Sequence, residues 1–234
     1  MFIFGIPIDN FSRKHVLHYL HDLMDEPRFH HVVTLNPEFL LFSQKNSAFR
    51  EALLRADLRV ADGVGLSFAF ALHGETLLER FPGADLLDCV LTMAAAHGYP
   101  VFMAVRQGGL SSWADIEIAL RKKYPRLEVT GRDFDLSQKL PVIKPVRSEI
   151  ILCNFGAPEQ EIFLANFQGI PSSLRLGIGV GGALDFLTGK IRRAPRLWQR
   201  LGLEWLWRLK EQPQRLPRIL RAVFLFPARV FFEK

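Results

Sequence analysis

Asp62 closes a short apolar run, Leu58-Arg59-Val60-Ala61, and is followed by Gly63-Val64-Gly65. A carboxylate held there can take a proton from a hydroxyl within hydrogen-bond reach, which is general-base chemistry. Aspartate before a glycine also caps helices, so an N-cap role stands beside the catalytic one. A second constellation is Gly177-Ile178-Gly179-Val180-Gly181-Gly182, which fits G-x-G-x-x-G. Backbone amides after such a strand can cradle a diphosphate at a helix N-terminus. The competing use of the same glycines is close helix–strand packing. The dinucleotide form of the pattern also requires an acidic residue about 20 positions on; here that stretch is basic and Trp-rich. Arg80, in Glu79-Arg80-Phe81-Pro82-Gly83-Ala84-Asp85, could grip a phosphate bidentately or pair on the surface with Glu79 or Asp85. Asp133-Phe134-Asp135 has the form of a metal–diphosphate clamp, but it follows a Gly131-Arg132 turn and reads as a solvated loop. No metal or cofactor is expected: His/Cys zinc spacing, a G-x-S-x-G elbow and a P-loop lysine are all missing from the sequence.

Side chains of these types act together only if the chain brings their loops to one place. Short apolar runs alternate with longer amphipathic ones, the pattern of a mainly parallel sheet covered by helices. The spacing predicts strands over residues 2–6, 31–34, 58–61, 101–105, 128–130, 149–154 and 175–180. Helices are predicted over 13–24, 48–55, 65–72, 84–97, 113–123 and 159–167, with Ser47 and Ser112 as caps. The fold class is therefore α/β, Rossmann-like. In open parallel sheets ligands bind beyond the carboxyl ends of the strands. The loops beginning at Thr34, Asp62, Phe155 and Gly181 are thus expected to converge on one cleft.

The chain divides into a core over 1–189 and a basic, aromatic-rich helical appendage over 190–234. Of the 234 residues' 30 Lys/Arg and 24 Asp/Glu, 12 and 3 lie from Lys190 onward. The appendage is thus at +9, the core at −3 and the whole at +6. Lys190, Arg192, Arg193, Arg196 and Arg200 mix with Trp198, Trp205 and Trp207, and Arg215, Arg218 and Arg221 with Ile219, Leu220 and Phe224. Cations interleaved with aromatic rings suit an anionic lipid interface. The competing use of Trp205, Leu206 and Leu209 is to pack the appendage onto the core. Cys89 and Cys153 form no C-x-x-C pair and suit a reducing compartment. No signal-peptide pattern is visible, and no apolar run reaches the ~18 residues that span a bilayer. The expected location is cytoplasmic, peripheral on the inner face of the cytoplasmic membrane.

Six stretches, in order, resemble the WecG/TagA/CpsF glycosyltransferases. They are Thr34-Leu35-Asn36-Pro37, Ala61-Asp62-Gly63, Arg80-x-x-Gly83-x-Asp85, Gly156-Ala157-Pro158-x-Gln160-Glu161, Gly179-Val180-Gly181-Gly182-Ala183-x-Asp185-Phe186, and Arg193-Ala194-Pro195-Arg196 through Gly202-Leu203-Glu204-Trp205. The resemblance implies an inverting transferase that moves a hexose-type sugar from a UDP-sugar to a polyprenyl-diphosphate-linked saccharide in bacterial surface-polysaccharide synthesis. It matches Asp62 to the catalytic base, and Thr34, Asn36, Arg80 and Gln160 to polar residues of the donor and acceptor pocket. It associates the appendage with membrane recruitment and with completing the active site. Arg80 and the loop of Gly179, Gly181 and Gly182, next to Asp185, are expected to stabilise the diphosphate. Arg192 or Arg193 is expected to meet the lipid diphosphate. Arg106-Gln107-Gly108-Gly109 stands where the family has a Leu-Gly-Gly turn, and Gly131-Arg132-Asp133 where it has Gly-x-His. The first rival function is an NAD(P)- or flavin-dependent oxidoreductase, resting on the glycine string. The second is a nucleic-acid-binding module, disfavoured because the positive charge is confined to an aromatic-rich segment. No nucleic-acid partner is expected, and the sequence is compatible with a homo-oligomer.

Overall fold

A computed structural model describes residues 1–138 and 147–232, with Arg200 described by its backbone alone. Glu233 and Lys234, the last two residues assigned to the appendage, lie outside the described residues. The apolar runs form a six-stranded sheet of β3 (His30–Leu35), β4 (Leu58–Ala61), β5 (Val101–Arg106), β6 (Val129–Phe134), β7 (Ile150–Cys153) and β8 (Leu176–Gly179). Its spatial order is β4-β3-β8-β7-β5-β6, and every neighbouring pair is parallel. All six carboxyl ends therefore share one edge.

Helices cover both faces, which is why most strand residues are apolar rather than alternating with polar ones. On one face lie α1 (Arg13–Asp25), α5 (Gly83–His97), α6 (Trp113–Lys123) and α8 (Ala183–Leu187), enclosing a core with Val32, Val60, Met103, Leu152 and Ile178. The other carries α2 (Pro37–Ser43), α3 (Ser47–Arg55), α4 (Val64–Leu72) and α7 (Glu159–Ala165). Because side chains alternate along a strand, Thr34 points to the α5 face while His31, Val33 and Leu35 point to the α7 face. After α4 the chain crosses the carboxyl edge through residues 73–82 and enters α5 there, so the N-terminus of this 15-residue helix abuts the strand ends.

Four expectations need correction. Residues 2–6 are not a strand of the main sheet. They belong to a hairpin of β1 (Phe2–Ile3) and β2 (Ile6–Pro7), because Phe4 and Gly5 both adopt positive φ, 52° and 71°, as a two-residue hairpin turn requires. The stretch after β3 is not all loop: Asn36 caps α2, with Pro37 at the first helical position. The cap of α3 is Asn46, whose Oδ1 accepts from the Phe49 N–H at 2.9 Å, rather than Ser47. Strand β6 runs on to Phe134, so Asp133 sits in a strand and accepts from the first N–H of α6, that of Trp113, at 3.0 Å. Asp135 accepts from Ser137 and Gln138 next to it. The Ser112 cap of α6 forms a full capping box with Asp115.

The appendage comprises α9 (Arg196–Arg200), α10 (Glu204–Glu211), a 3₁₀ turn (Pro213–Arg215), α11 (Leu216–Leu220), a π turn (Arg221–Leu225) and α12 (Phe226–Phe232). It folds back over the body. Phe226 is fully buried against Phe4, ring centroids 5.9 Å apart, and Val230 is buried beside it. A side chain on Gly65 of α4 would strike Pro37 at 2.6 Å and would touch the Ala222 carbonyl and the Phe226 ring at 3.6 Å. Trp205 and Leu209 are half-buried whereas Leu206 is exposed, so α10 serves both as packing and as surface.

Candidate active site

Asp62 follows β4 directly, and its N–H donates to the Leu35 carbonyl at 2.6 Å, which carries the β3–β4 pairing to the sheet edge. The cap role does not apply. Helix α4 starts behind Gly63, whose φ is +93°, and no side chain caps it. The Asp62 carboxylate instead accepts from the Gly83 N–H at the start of α5. Burial pushes this carboxyl up to about 6, opposed by the nearby Arg208 guanidinium and reinforced by Glu204 and Asp85. An acid with that pKa is ionised at neutral pH yet basic enough to accept a proton, the compromise a general base needs. Gly83 also ties three strand ends together. A side chain there would lie 3.5 Å from Thr34 Oγ1 and 4.0 Å from the Val180 carbonyl.

The structure thus brings Asp62, Thr34, Gly83 and the β8 loop to one place. Asn36 borders it, but its Oδ1 is used in capping α2, accepting from the Phe39 N–H at 3.0 Å. Gln160 lies beneath the edge at 2% exposure. Its Oε1 accepts from the Gly156 N–H at 3.0 Å, and its Nε2 donates to Glu161 at 2.7 Å, so both polar ends are used within the protein. Arg80 reaches the Gln199 carbonyl at 3.5 Å and lies against Gly202, between body and appendage.

The glycine string divides in two. Gly177 and Gly179 face α7. A Cβ on Gly177 would strike the Phe29 ring, and one on Gly179 would strike Gln160 and Glu161. Their lack of a side chain serves packing. Gly181, with φ of +46°, and Gly182 stand at the carboxyl edge. A Cβ on Gly182 would lie 3.4 Å from Asp185 Oδ2 and 3.5 Å from Arg215 Nη2. Asp185 accepts from Ser111 Oγ at 2.8 Å, and burial raises its pKa against the pull of Arg215 and Arg208.

Three arginines of the appendage, none singled out from the sequence as site residues, turn inward here. Arg208 pairs with Glu204 at 2.8 Å, sits 4.8 Å above the Phe186 ring and is the nearest positive influence on Asp62. Arg218 grips Glu38 of α2 with two nitrogens, each 2.7 Å from a carboxylate oxygen. Arg215 stands between them beside Gly182. Among the described residues its guanidinium makes no hydrogen bond or ion pair, and burial followed by Arg208 and Arg218 lowers its pKa. A half-buried guanidinium flanked by two others, with no anion of its own, is a site prepared for one. The signal in the sequence was the charge excess itself, which reads as a surface feature until the chain is seen to fold back. Arg193, by contrast, is bound to Asp85 at 2.6 Å, and Arg192 is exposed, with only its carbonyl held, by the Trp207 indole at 3.1 Å.

The arrangement is a buried carboxylate with a raised pKa and a group of arginines, Arg208 among them, at the carboxyl edge of a parallel sheet. It suits attack by a hydroxyl on a centre whose leaving group is a phosphate ester. The packing use of Gly177 and Gly179 removes the main support for a dinucleotide oxidoreductase. The model of the family described as "Glycosyl transferase WecG/TagA/CpsF family" matches residues 1–234, the whole length, and the chain belongs to this family of glycosyltransferases.

Proposed function

We propose that the protein is an inverting transferase that moves a hexose-type sugar from a UDP-sugar to the hydroxyl of a polyprenyl-diphosphate-linked saccharide. The single observation that carries this reading is Asp62, held by the N-terminus of α5 with a pKa of about 6 and under the influence of Arg208, which in turn neighbours Arg215 beside Gly182. Asp62 takes the proton of the acceptor hydroxyl as its oxygen attacks the anomeric carbon from the face opposite the nucleotide. One displacement inverts that centre, and the leaving UDP carries away the bonding pair. The negative charge developing on its diphosphate falls to Arg215, Arg208 and the amides at Gly181 and Gly182. Fixed donors already in place cost no reorganisation at that moment. Thr34 and Asn36 line the acceptor side, Gln160 acts from beneath through the Gly156 turn, and Arg80 braces the appendage over the site. Arg193, tied to Asp85, has a positioning role, while Arg192 is free to meet the acceptor's lipid diphosphate.

The acceptor would be reached at a membrane surface. Leu216, Leu220, Phe224, Leu225, Phe231 and Phe232 are exposed on the appendage among exposed Arg221 and Arg229. Among the described residues no helix is long and apolar enough to cross a membrane, and the proposed mode is peripheral docking on an anionic leaflet. Each basic residue close to such a leaflet contributes about 1 kcal/mol. The test is to incubate the full chain with a panel of UDP-sugars and a synthetic polyprenyl-diphosphate sugar and read product masses. A single new mass equal to acceptor plus one hexose-type residue is expected. Hydrolysis alone, or no turnover with any pair, would count against the proposal.

A further inference from the structure

Beneath the site runs a buried polar chain whose far end, His31 and Glu161, no step of the reaction above uses. His31 and Glu161 are both fully buried, one on β3 and the other on α7, with His31 Nε2 2.7 Å from Glu161 Oε2. The second Glu161 oxygen, Oε1, accepts from Gln160 Nε2 at 2.7 Å. Gln160 Oε1 in turn accepts from the Gly156 N–H at 3.0 Å, at the turn after β7. A position without a side chain, Gly179, leaves room for both Gln160 and Glu161. The other ring nitrogen, His31 Nδ1, is buried with no partner among the described residues.

The polarity of this chain is one-sided. With His31 donating from Nε2, Glu161 accepts at both oxygens. An amide can face its neighbours in two ways, and the carboxylate decides between them. It demands the Gln160 NH2, which leaves the Gln160 carbonyl to face Gly156. With the amide reversed, carbonyl would meet carboxylate and NH2 would meet N–H, and both bonds would be lost. His31 supplies the donor that keeps the carboxylate in place. Burying such groups costs free energy unless every partner is present, and the bare Nδ1 shows that this cost has not been fully relieved.

We infer that His31 and Glu161 are positioning residues: acting through Gln160, whose Oε1 would lie 3.9 Å from a Cβ at Gly181, they hold the Gly156–Ala157–Pro158 turn, which follows β7 beside the β8 loop at the carboxyl edge, in the shape that binds the donor. The inference rests on the reading of this edge as a UDP-sugar site. It predicts that loss of the Glu161 acceptor loosens the turn and weakens donor binding while the chemical step, which belongs to Asp62, continues. Losing one such hydrogen bond corresponds to about a tenfold change. In Glu161→Gln the Gly156 amide should therefore exchange with solvent about tenfold faster. The KM for the UDP-sugar should rise by a similar factor, with kcat within about twofold. His31→Leu, which removes the donor, should behave the same way, and His31→Gln, which keeps one, should stay near the parent. In a cycle with Gln160→Ala, Glu161→Gln should add little further effect, because its route of action is already cut.

Equal behaviour of the two His31 variants overturns the inference, as does a change in thermal stability with no change in KM or in Gly156 exchange. Should the variants fail to fold, nitrogen NMR of the His31 ring in the unaltered protein decides. The expected pattern is a protonated Nε2 and a bare Nδ1, and the reverse pattern overturns it. If no UDP-sugar binds the parent, the proposed function has failed. The exchange rate of Gly156 still reads the chain of bonds independently.

Discussion

Replacing Asp62 by Asn should make the protein nearly inactive and, at neutral pH, more stable. The side chain keeps its shape, and Asn Oδ1 can still accept from the Gly83 N–H. The carboxyl stands at about 6 against an ordinary value of 3.8, so the folded state favours the protonated form. A shift of this size corresponds to about 3 kcal/mol at most, and solvent at the half-exposed edge of the site reduces it to between about 1 and 3 kcal/mol. The sign follows from proton linkage. Below about pH 3.8 the group is neutral whether the chain is folded or unfolded, and it costs nothing. Between there and about pH 6 the folded state holds more protons, so the parent loses stability as pH rises through this window, and above it the penalty is complete. Calorimetry at pH 8 should show Asp62→Asn melting higher, by roughly 2–4 °C per kcal/mol for a chain of this size, with the gain vanishing near pH 3.5. Transfer at pH 8 should fall by about 10²–10⁴, the usual worth of a general base. In the parent, kcat/KM should drop tenfold per pH unit below about 6. Two results refute the reasoning: a variant that turns over within a few-fold of the parent, or a melting gain of equal size at pH 3.5 and pH 8.

Arg215→Ala should lower transfer by about 100-fold, in the range of losing one preorganised donor to a leaving group. It should not lower the melting temperature, since the guanidinium has no partner to lose; Arg215→Lys should recover only part of the rate, a point charge replacing a fork. Gly179→Ala should destabilise by roughly 1–3 kcal/mol, because the new methyl overlaps Gln160 and Glu161 in a filled core, and denaturant unfolding measures it. Phe226→Ala and Phe224→Glu, two residues apart on the appendage, should separate its two faces. The first removes a fully buried ring and should cost about 3–5 kcal/mol. The second alters a ring that is 67% exposed, and should leave unfolding unchanged while reducing co-sedimentation with anionic liposomes.

Most of the sheet is readable because its strands are short apolar runs with little to compete with them, whereas β6, Val129-Thr130-Gly131-Arg132-Asp133-Phe134, is polar along its second half, and α6 is readable because Ser112 and Asp115 form a capping box. Asn36 and Pro37 carried the corresponding signal for α2, an N-cap followed by proline. That signal is ambiguous, because polar residues after a strand also read as a loop. The hairpin at residues 2–7 was hidden by its apolar composition. Only Gly5 marks the turn, and Phe4 takes a positive φ that its residue type disfavours. The glycine string shows a more general limit. A pattern of glycines states that side chains are excluded but not what excludes them. At 177 and 179 the excluding groups are Phe29, Gln160 and Glu161, on other parts of the chain.

The appendage shows why the location of charge has to be settled by packing. Twelve cations against three acids from Lys190 onward describe a basic segment, and a basic segment with exposed rings describes a lipid-facing one. Yet Arg208, Arg215 and Arg218 are spent on Glu204, the recess by Gly182, and Glu38. Phe226 and Val230 bring this about: once they enter the core against Phe4 and α4, the segment between α10 and α12 has to lie across the carboxyl edge of the sheet. The basic faces of α10 and α11 then have Asp62, Asp185 and Glu38 beneath them. Two consequences follow from one cause. The acids at the edge would otherwise repel a diphosphate, and they are offset only while the appendage is docked. Of the cations that stay outward, Arg221 and Arg229 lie beside the exposed rings. The proposed site and the proposed lipid-facing surface are thus two sides of one folded segment, and loosening its anchor at Phe226 should damage both together.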